Sequence, residues 1–171
     1  HFRLDSNELR PLGRTARGVK SMNLKNGDKL VSMDVLTSDL VDQLAKIDDT
    51  HNEDENNLES NYSEGPWVLV ASAFGLGKRV PVTQFRLQKR AGMGLRAIKF
   101  RIKDDALVCL KVLGEGEELL FVTEKGVIVR TNADKISQQS RAATGVKLQR
   151  LDEGDHLSEV VLVPHEQTEE T

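Results

Sequence analysis

The sequence predicts an all-β fold assembled from propeller-like blades. Three observations lead there: a basic motif recurs three times, its flanks recur in the same register, and short apolar runs of strand length alternate with turn signals. The motif occupies residues 14–24 (RTARGVKSMNL), 90–100 (RAGMGLRAIKF) and 141–151 (RAATGVKLQRL) without gaps. Each copy reads Arg, three residues, Gly, Val or Leu, Lys or Arg, and an apolar residue four positions later. The second and third copies start 51 residues apart and the first and second 76, so the first spacing carries about 25 extra residues.

The register extends beyond the motif. Gly75 corresponds to Gly126, Arg79 to Arg130 and Phe85 to Ile136, while Arg3 and Leu9 precede Arg79 and Phe85 by the longer interval. After each motif an aspartate opens an apolar run: Asp28 before Lys29–Leu36, Asp105 before Ala106–Leu113, and Asp155 before His156–Val163. The runs Leu119–Val122, Val127–Arg130 and Ala106–Leu113 have strand length and β-branched content. Turn signals bound them at Asn26-Gly27, Glu124-Lys125-Gly126, Gly114-Glu115-Gly116 and Glu153-Gly154, of which Asn-Gly is the strongest hairpin cue. About four strands per period of roughly 50 residues is the signature of propeller blades.

The chain therefore divides into a blade over 1–36 whose first strand is cut at Phe2, an insertion over 37–64, blades over 65–113 and 114–163, and a flexible tail over 164–171. In the insertion, Leu40, Val41, Leu44 and Ile47 fall at helical spacing behind a Ser38 cap. An Asn/Glu/Asp-rich loop follows, too polar to bury much surface. His1 opens the sequence with neither a Met nor a signal-peptide pattern, which reads as a start inside a longer polypeptide.

Charge is segregated along the chain. Residues 48–64 hold seven acids and no Lys or Arg, and the last seven residues hold three more acids. Without those ten acids the net charge of −3 becomes +7. From Gly65 to Lys103 there are nine basic residues and no acid. Such separation suits a polyanionic partner. Equivalent residues on successive blades should form a track, and the candidate DNA-binding set is Arg14, Arg17, Lys20, Lys78, Arg79, Arg86, Lys89, Arg90, Arg96, Lys99, Arg130, Arg141 and Lys147. With 4% aromatic residues, stacking on single strands is disfavoured and phosphate contacts to duplex DNA are favoured. The acidic loop should sit off the track or oppose binding.

Other chemistries find little support. Gly92-Met93-Gly94-Leu95-Arg96-Ala97 fits a dinucleotide fingerprint, but no amphipathic helix follows it and the repeat accounts for the glycines. Gly18, Gly94 and Gly145 are expected at backbone bends. His1, His51, His156 and His165 show no metal-ligand spacing, and Cys109 reads as a buried strand residue. No catalytic residue and no metal site is assigned, and no run is long enough to span a membrane.

The motif copies, together with Gly75-Leu76-Gly77-Lys78-Arg79, resemble the C-terminal domain of the DNA gyrase A family of type IIA topoisomerases. The resemblance covers nearly the whole chain except residues 37–64. It implies a β-pinwheel, a disc of usually six propeller-like blades that bends DNA around a basic rim, with these residues as its last three blades. It also implies a parent enzyme that uses ATP and Mg²⁺ elsewhere to introduce negative supercoils, with the rest of gyrase A and with gyrase B as partners. No cofactor is implied for these residues themselves. The compartment would be a bacterial cytoplasm or the interior of an organelle. Gln88–Gly94 is similar to the family's gyrase-specific box, but Ala91 and Met93 depart from it, so it reads as a degenerate repeat copy. Tyr62 lies in the acidic loop and does not fit the family's active-site tyrosine, which belongs to another domain. The alternatives are the matching domain of topoisomerase IV and, in a different class, a propeller acting as a protein scaffold.

Overall fold

The computed structural model of the chain describes residues 3–42, 44 and 65–163. Nine strands follow in order: β1 (Arg3–Leu4), β2 (Trp67–Ser72), β3 (Leu76–Pro81), β4 (Leu87–Gln88), β5 (Leu107–Leu113), β6 (Glu118–Thr123), β7 (Ile128–Asn132), β8 (Val146–Lys147) and β9 (Leu157–Val163). They form a four-stranded sheet ordered β5-β2-β3-β8, a three-stranded sheet ordered β7-β6-β9, and the parallel pair β1-β4. The insertion's helix is present at residues 38–42 and 44. Its Ile47, the acidic loop, Tyr62 and the tail lie outside the described residues.

The turns fall where the sequence placed them. The Asp28 amide donates to the Lys25 carbonyl around Asn26-Gly27, and the Gly126 amide donates to the Thr123 carbonyl between β6 and β7. Gly27 and Gly126 have φ of +86° and +82°, a region that costs most side chains energy and glycine almost none.

Both large sheets repeat one hairpin with one return strand. β2 pairs antiparallel with β3 and β5, and β6 pairs the same way with β7 and β9. The second repeat's fourth strand, however, is β8, which belongs to the third repeat. The expected four strands per blade are thus reached by lending: one repeat supplies three strands and its successor the fourth. Parallel contacts between repeats recur as well. Arg3 faces Leu87 in β1-β4, and Arg79 faces Gln138, each partner shifted by one repeat.

Burial follows from this stacking. All of β2 is buried, because the sheet is covered on both faces. Trp67, Leu69 and Ala71 pack with Leu119, Phe121, Leu157 and Val160 of the third blade. Val68 and Val70 point the other way, into Val80, Val82, Phe85, Ala97, Ile98 and Leu44 of the insertion helix. β6 instead alternates, with Leu119, Phe121 and Thr123 buried and Glu118, Leu120 and Val122 only partly so, since one of its faces is covered. Each fully buried residue such as Phe121 or Leu119 contributes roughly 1.5–3 kcal/mol of transfer free energy.

The apolar run Lys29–Leu36 after Asp28 forms no ladder. By the repeat it corresponds to β5 and β9, whose partners are β2 and β6, and the first repeat has no such hairpin among the described residues. Ser32 Oγ donates to the Leu110 carbonyl at 2.9 Å and Asp34 Oδ2 accepts from the Val112 amide at 2.9 Å, so alternate side chains hold the run to β5. Leu30, Val31, Met33 and Val35 remain exposed.

Candidate nucleic-acid interface

The three motif loops lie side by side. The Asn23 amide donates to the Gly92 carbonyl at 2.8 Å, and the Ala91 amide donates to the Ser21 carbonyl at 2.7 Å. One repeat later the Lys99 amide donates to the Ala143 carbonyl at 3.2 Å, which is the Asn23–Gly92 contact displaced by a repeat. Arg141 Nη1 also donates to the Arg96 carbonyl at 3.2 Å. The loops therefore make one hydrogen-bonded belt across the three repeats.

That belt carries no acid over residues 9–27, 65–103 and 135–151. Arg14, Arg17, Lys20, Arg86, Lys89, Arg90, Arg96, Lys99 and Lys147 are exposed on it, and Arg141 is half-buried. Their spacing along a backbone fixed by hydrogen bonds lets several cations face one polyanion together.

Glycine allows the loops to come this close. Gly145 has φ of +96°, and a Cβ there would meet the Gly77 carbonyl oxygen at 2.6 Å, where β8 joins β3. Gly18 and Gly94 share the positive φ, and at Gly18 an added Cβ would face open space. Of the expected bends, Gly145 is set by close approach and Gly18 by backbone conformation alone.

Lys78 and Arg79 are corrections to the expected set. Lys78 is fully buried, and its Nζ donates to the carbonyls of Ser140 (2.7 Å), Arg141 (3.0 Å) and Ala143 (2.6 Å). Burial, and secondarily the Arg141 charge, lowers its pKa to about 8. Arg79 is 8% exposed. Its Nε donates to the Ile136 carbonyl at 3.0 Å, its Nη1 pairs with Asp134 at 3.0 Å, and its guanidinium lies 4.7 Å from the Trp67 ring centroid. Neither can reach a phosphate. Consecutive strand residues point to opposite faces, and β3 sits in a sheet covered on both. The uninterrupted apolar run Trp67–Ala71 carried that signal, because a strand solvated on one face would alternate. Arg130, by contrast, is exposed, with its Nε and Nη2 paired to the Glu118 carboxylate at the surface.

Sequence reasoning noted the recurring aspartates without assigning them a role. Asp105 Oδ1 accepts from the Phe74 and Ala106 amides, and Asp155 Oδ1 accepts from the Lys125 and His156 amides, the same contacts one repeat later. Each ties the hairpin turn to the start of the return strand. Gln84 was also missed: its Oε1 accepts from the Arg141 amide at 2.8 Å and helps fix the third motif loop.

The chain matches the family model described as the DNA gyrase C-terminal domain, beta-propeller, over residues 2–37, 66–108 and 117–164. Of the two internal gaps, 38–65 and 109–116, the first covers all of the insertion but its first residue. The chain is 49% identical to the DNA gyrase A protein of Synechocystis sp. over 99% of its own length and 20% of that protein. It is 37% identical to the DNA gyrase A protein of Staphylococcus epidermidis over 96% of its length and 16% of that protein. The chain thus spans a fifth or less of the curated relatives it matches. Among solved structures, a DNA gyrase A C-terminal domain aligns with a TM-score of 0.69 at 28% identity, covering 93% of this chain and 45% of that one. A C-terminal domain of DNA topoisomerase IV aligns with a TM-score of 0.72 at 23% identity, covering 94% and 42%, a likeness of fold alone.

Proposed function

Since the chain belongs to the DNA gyrase C-terminal domain family of beta-propellers, we propose that its basic belt binds duplex DNA through the phosphates and bends it as part of a gyrase A protein. The observation that carries this reading is the hydrogen-bonded alignment of three acid-free motif loops, with basic residues exposed along it. The phosphate contacts are Arg14, Arg17, Lys20, Arg86, Lys89, Arg90, Arg96, Lys99, Arg141 and Lys147.

A belt of this kind reads no sequence, because phosphates are the same at every step. It gains affinity by releasing counterions and favours DNA that follows its curve. In the complete enzyme, curved DNA presents a crossover of one hand to the strand-passing domains, which work with gyrase B. ATP and Mg²⁺ act there rather than at these residues, and the product is negatively supercoiled DNA. The identities to gyrase A sequences favour this parent over topoisomerase IV, whose domain shares the fold.

The test is duplex-DNA binding by fluorescence anisotropy across a salt series. Six to ten phosphate contacts would lower affinity about 10³–10⁵-fold between 50 and 200 mM salt. Arg90→Glu combined with Arg96→Glu should flatten the dependence. A folded protein that binds without salt dependence would favour a protein scaffold instead.

A further inference from the structure

We propose that Lys78 is a positioning residue for DNA binding: it sets Arg141 on the belt through the loop backbone, and a phosphate bound at Arg141 draws a proton onto it. This rests on the reading of the belt as a phosphate-binding surface. Three groups of Arg141 are fixed by the second repeat. Its amide donates to Gln84 Oε1 at 2.8 Å, its carbonyl accepts from Lys78 Nζ at 3.0 Å, and its Nη1 donates to the Arg96 carbonyl at 3.2 Å. A guanidinium held at both ends loses little freedom when it meets a phosphate, which favours binding.

Lys78 does more than brace the loop. Its ammonium has three hydrogens and faces three carbonyls, those of Ser140, Arg141 and Ala143. A neutral amine has two hydrogens, so one carbonyl loses its donor when the proton leaves. Burial and, after it, the Arg141 charge bring the pKa of Lys78 down to about 8. The other neighbours supply no anion. Val70 lies opposite on β2, β8 brings Val146 and the exposed Lys147, and the second motif loop brings Arg96 beside Arg141. Arg79, next along β3, points to the other face and pairs with Asp134. No carboxylate bonds to Lys78 among the described residues.

A phosphate paired with the Arg141 guanidinium offsets the repulsion between the two cations. Lys78 then holds its proton more tightly in the complex than in the free protein. By linkage, binding takes up a proton at and above about pH 8, and affinity falls as pH rises. Folding stability changes the other way, because burial favours the neutral lysine, so a weakened fold cannot mimic the effect. The link belongs to one joint, since the counterparts of Lys78 in the other repeats are Phe2 and Val129.

The test is duplex-DNA binding by fluorescence anisotropy on the full-length protein, at fixed salt, from pH 7 to 9.5. Exposed lysines, with pKa values near about 10.4, keep most of their charge over that range. The wild type should lose affinity about fivefold. Lys78→Arg, whose charge does not titrate, should lose less than about twofold. Where Lys78→Arg does not fold, Arg141→Gln supplies the comparison. It keeps Lys78 and the loop backbone but removes the group that pairs with the phosphate, so it should bind more weakly with a flattened profile. A flat wild-type profile, or the same loss in either folded variant, would overturn the proposal. If binding is still steeply salt-dependent in that case, the belt reading stands and only the coupling falls. Binding without salt dependence would end both.

Discussion

Lys78 Nζ lies 2.6 Å from the carbonyl oxygen of Ala143, joining the second blade to the motif loop of the third. Two further carbonyls, of Ser140 and Arg141, complete its shell, so a buried ammonium holds the loop from which Arg141 projects. Replacing it with methionine removes the donor and leaves those acceptors without a partner. Lys78→Met should cost about 2–4 kcal/mol and lower the melting temperature.

The same lysine gives the fold a pH signature. Its folded pKa of about 8 lies below the ordinary value of 10.5. Between those values the unfolded chain holds a proton that the folded chain has released, so stability rises with pH across that window. Below about pH 8 both states hold the proton and the cost of burying the charge is fully present. The melting temperature of the wild type relative to Lys78→Met should therefore increase from pH 8 to 10.5. A constant difference across that range would contradict the depressed pKa.

Gly18 and Gly145 occupy one position of the repeat but should respond differently to alanine. Both have positive φ, which costs an L-residue about 1–2 kcal/mol. At Gly145 the added methyl would collide with backbone, the Gly77 carbonyl at 2.6 Å, whereas at Gly18 it would meet nothing within 4 Å. Gly145→Ala should therefore destabilise more than Gly18→Ala and open the β3-β8 pairing, as measured by denaturant unfolding and by exchange of the Val146 amide. Equal losses would mean that the backbone conformation accounts for both.

The all-β repeat was legible because it recurs in register: three glycines, three basic pairs and three aspartates fix where blades begin again. What that arithmetic could not convey is which surfaces face each other. Arg79 and Arg130 are the same letter at the same place, yet one is sealed beneath a neighbouring blade and the other is not. Arg3 and Arg79 recur for blade-to-blade contact, whereas Lys20, Arg96 and Lys147 recur on the exposed belt. Lys78 has no basic counterpart in the other repeats, since position 129 is valine. Its lack of repetition was a hint that it serves one joint rather than the track. The strand lent by β8 was equally hidden, because two residues of ladder leave almost no pattern.

Two exposed lysines distinguish track from scaffold. Lys20 and Lys99 lie on loops that touch the following loop through equivalent backbone positions, Asn23 to Gly92 and Lys99 to Ala143. Each phosphate contact contributes about 0.9 to the slope of log affinity against log salt. Lys20→Ala and Lys99→Ala should each reduce that slope by roughly 1 and weaken binding to all duplex sequences alike. A sequence-dependent loss would point to base contacts instead, and an unchanged slope would remove that lysine from the interface.

The recurring aspartates should make the blades acid-sensitive. Asp155 is a buried carboxylate, and burial alone would raise its pKa. The Thr123 hydroxyl, the Lys125 and His156 amides and the Lys125 charge outweigh that and hold it below the ordinary carboxylate value. A depressed carboxylate stabilises the fold above the unfolded-state pKa near 3.9, and that contribution is lost as pH falls through the folded value. Asp155→Asn keeps an oxygen in place of Oδ1 but has no charge to lose. The wild type should therefore melt above the asparagine variant at pH 6, and the gap should close as pH drops below about 4. Asp155→Ala, which removes both bonds to the turn, should melt lower than either across the range. If the wild type and the asparagine variant keep a constant gap down to low pH, the turn is held by oxygen geometry and the charge contributes nothing.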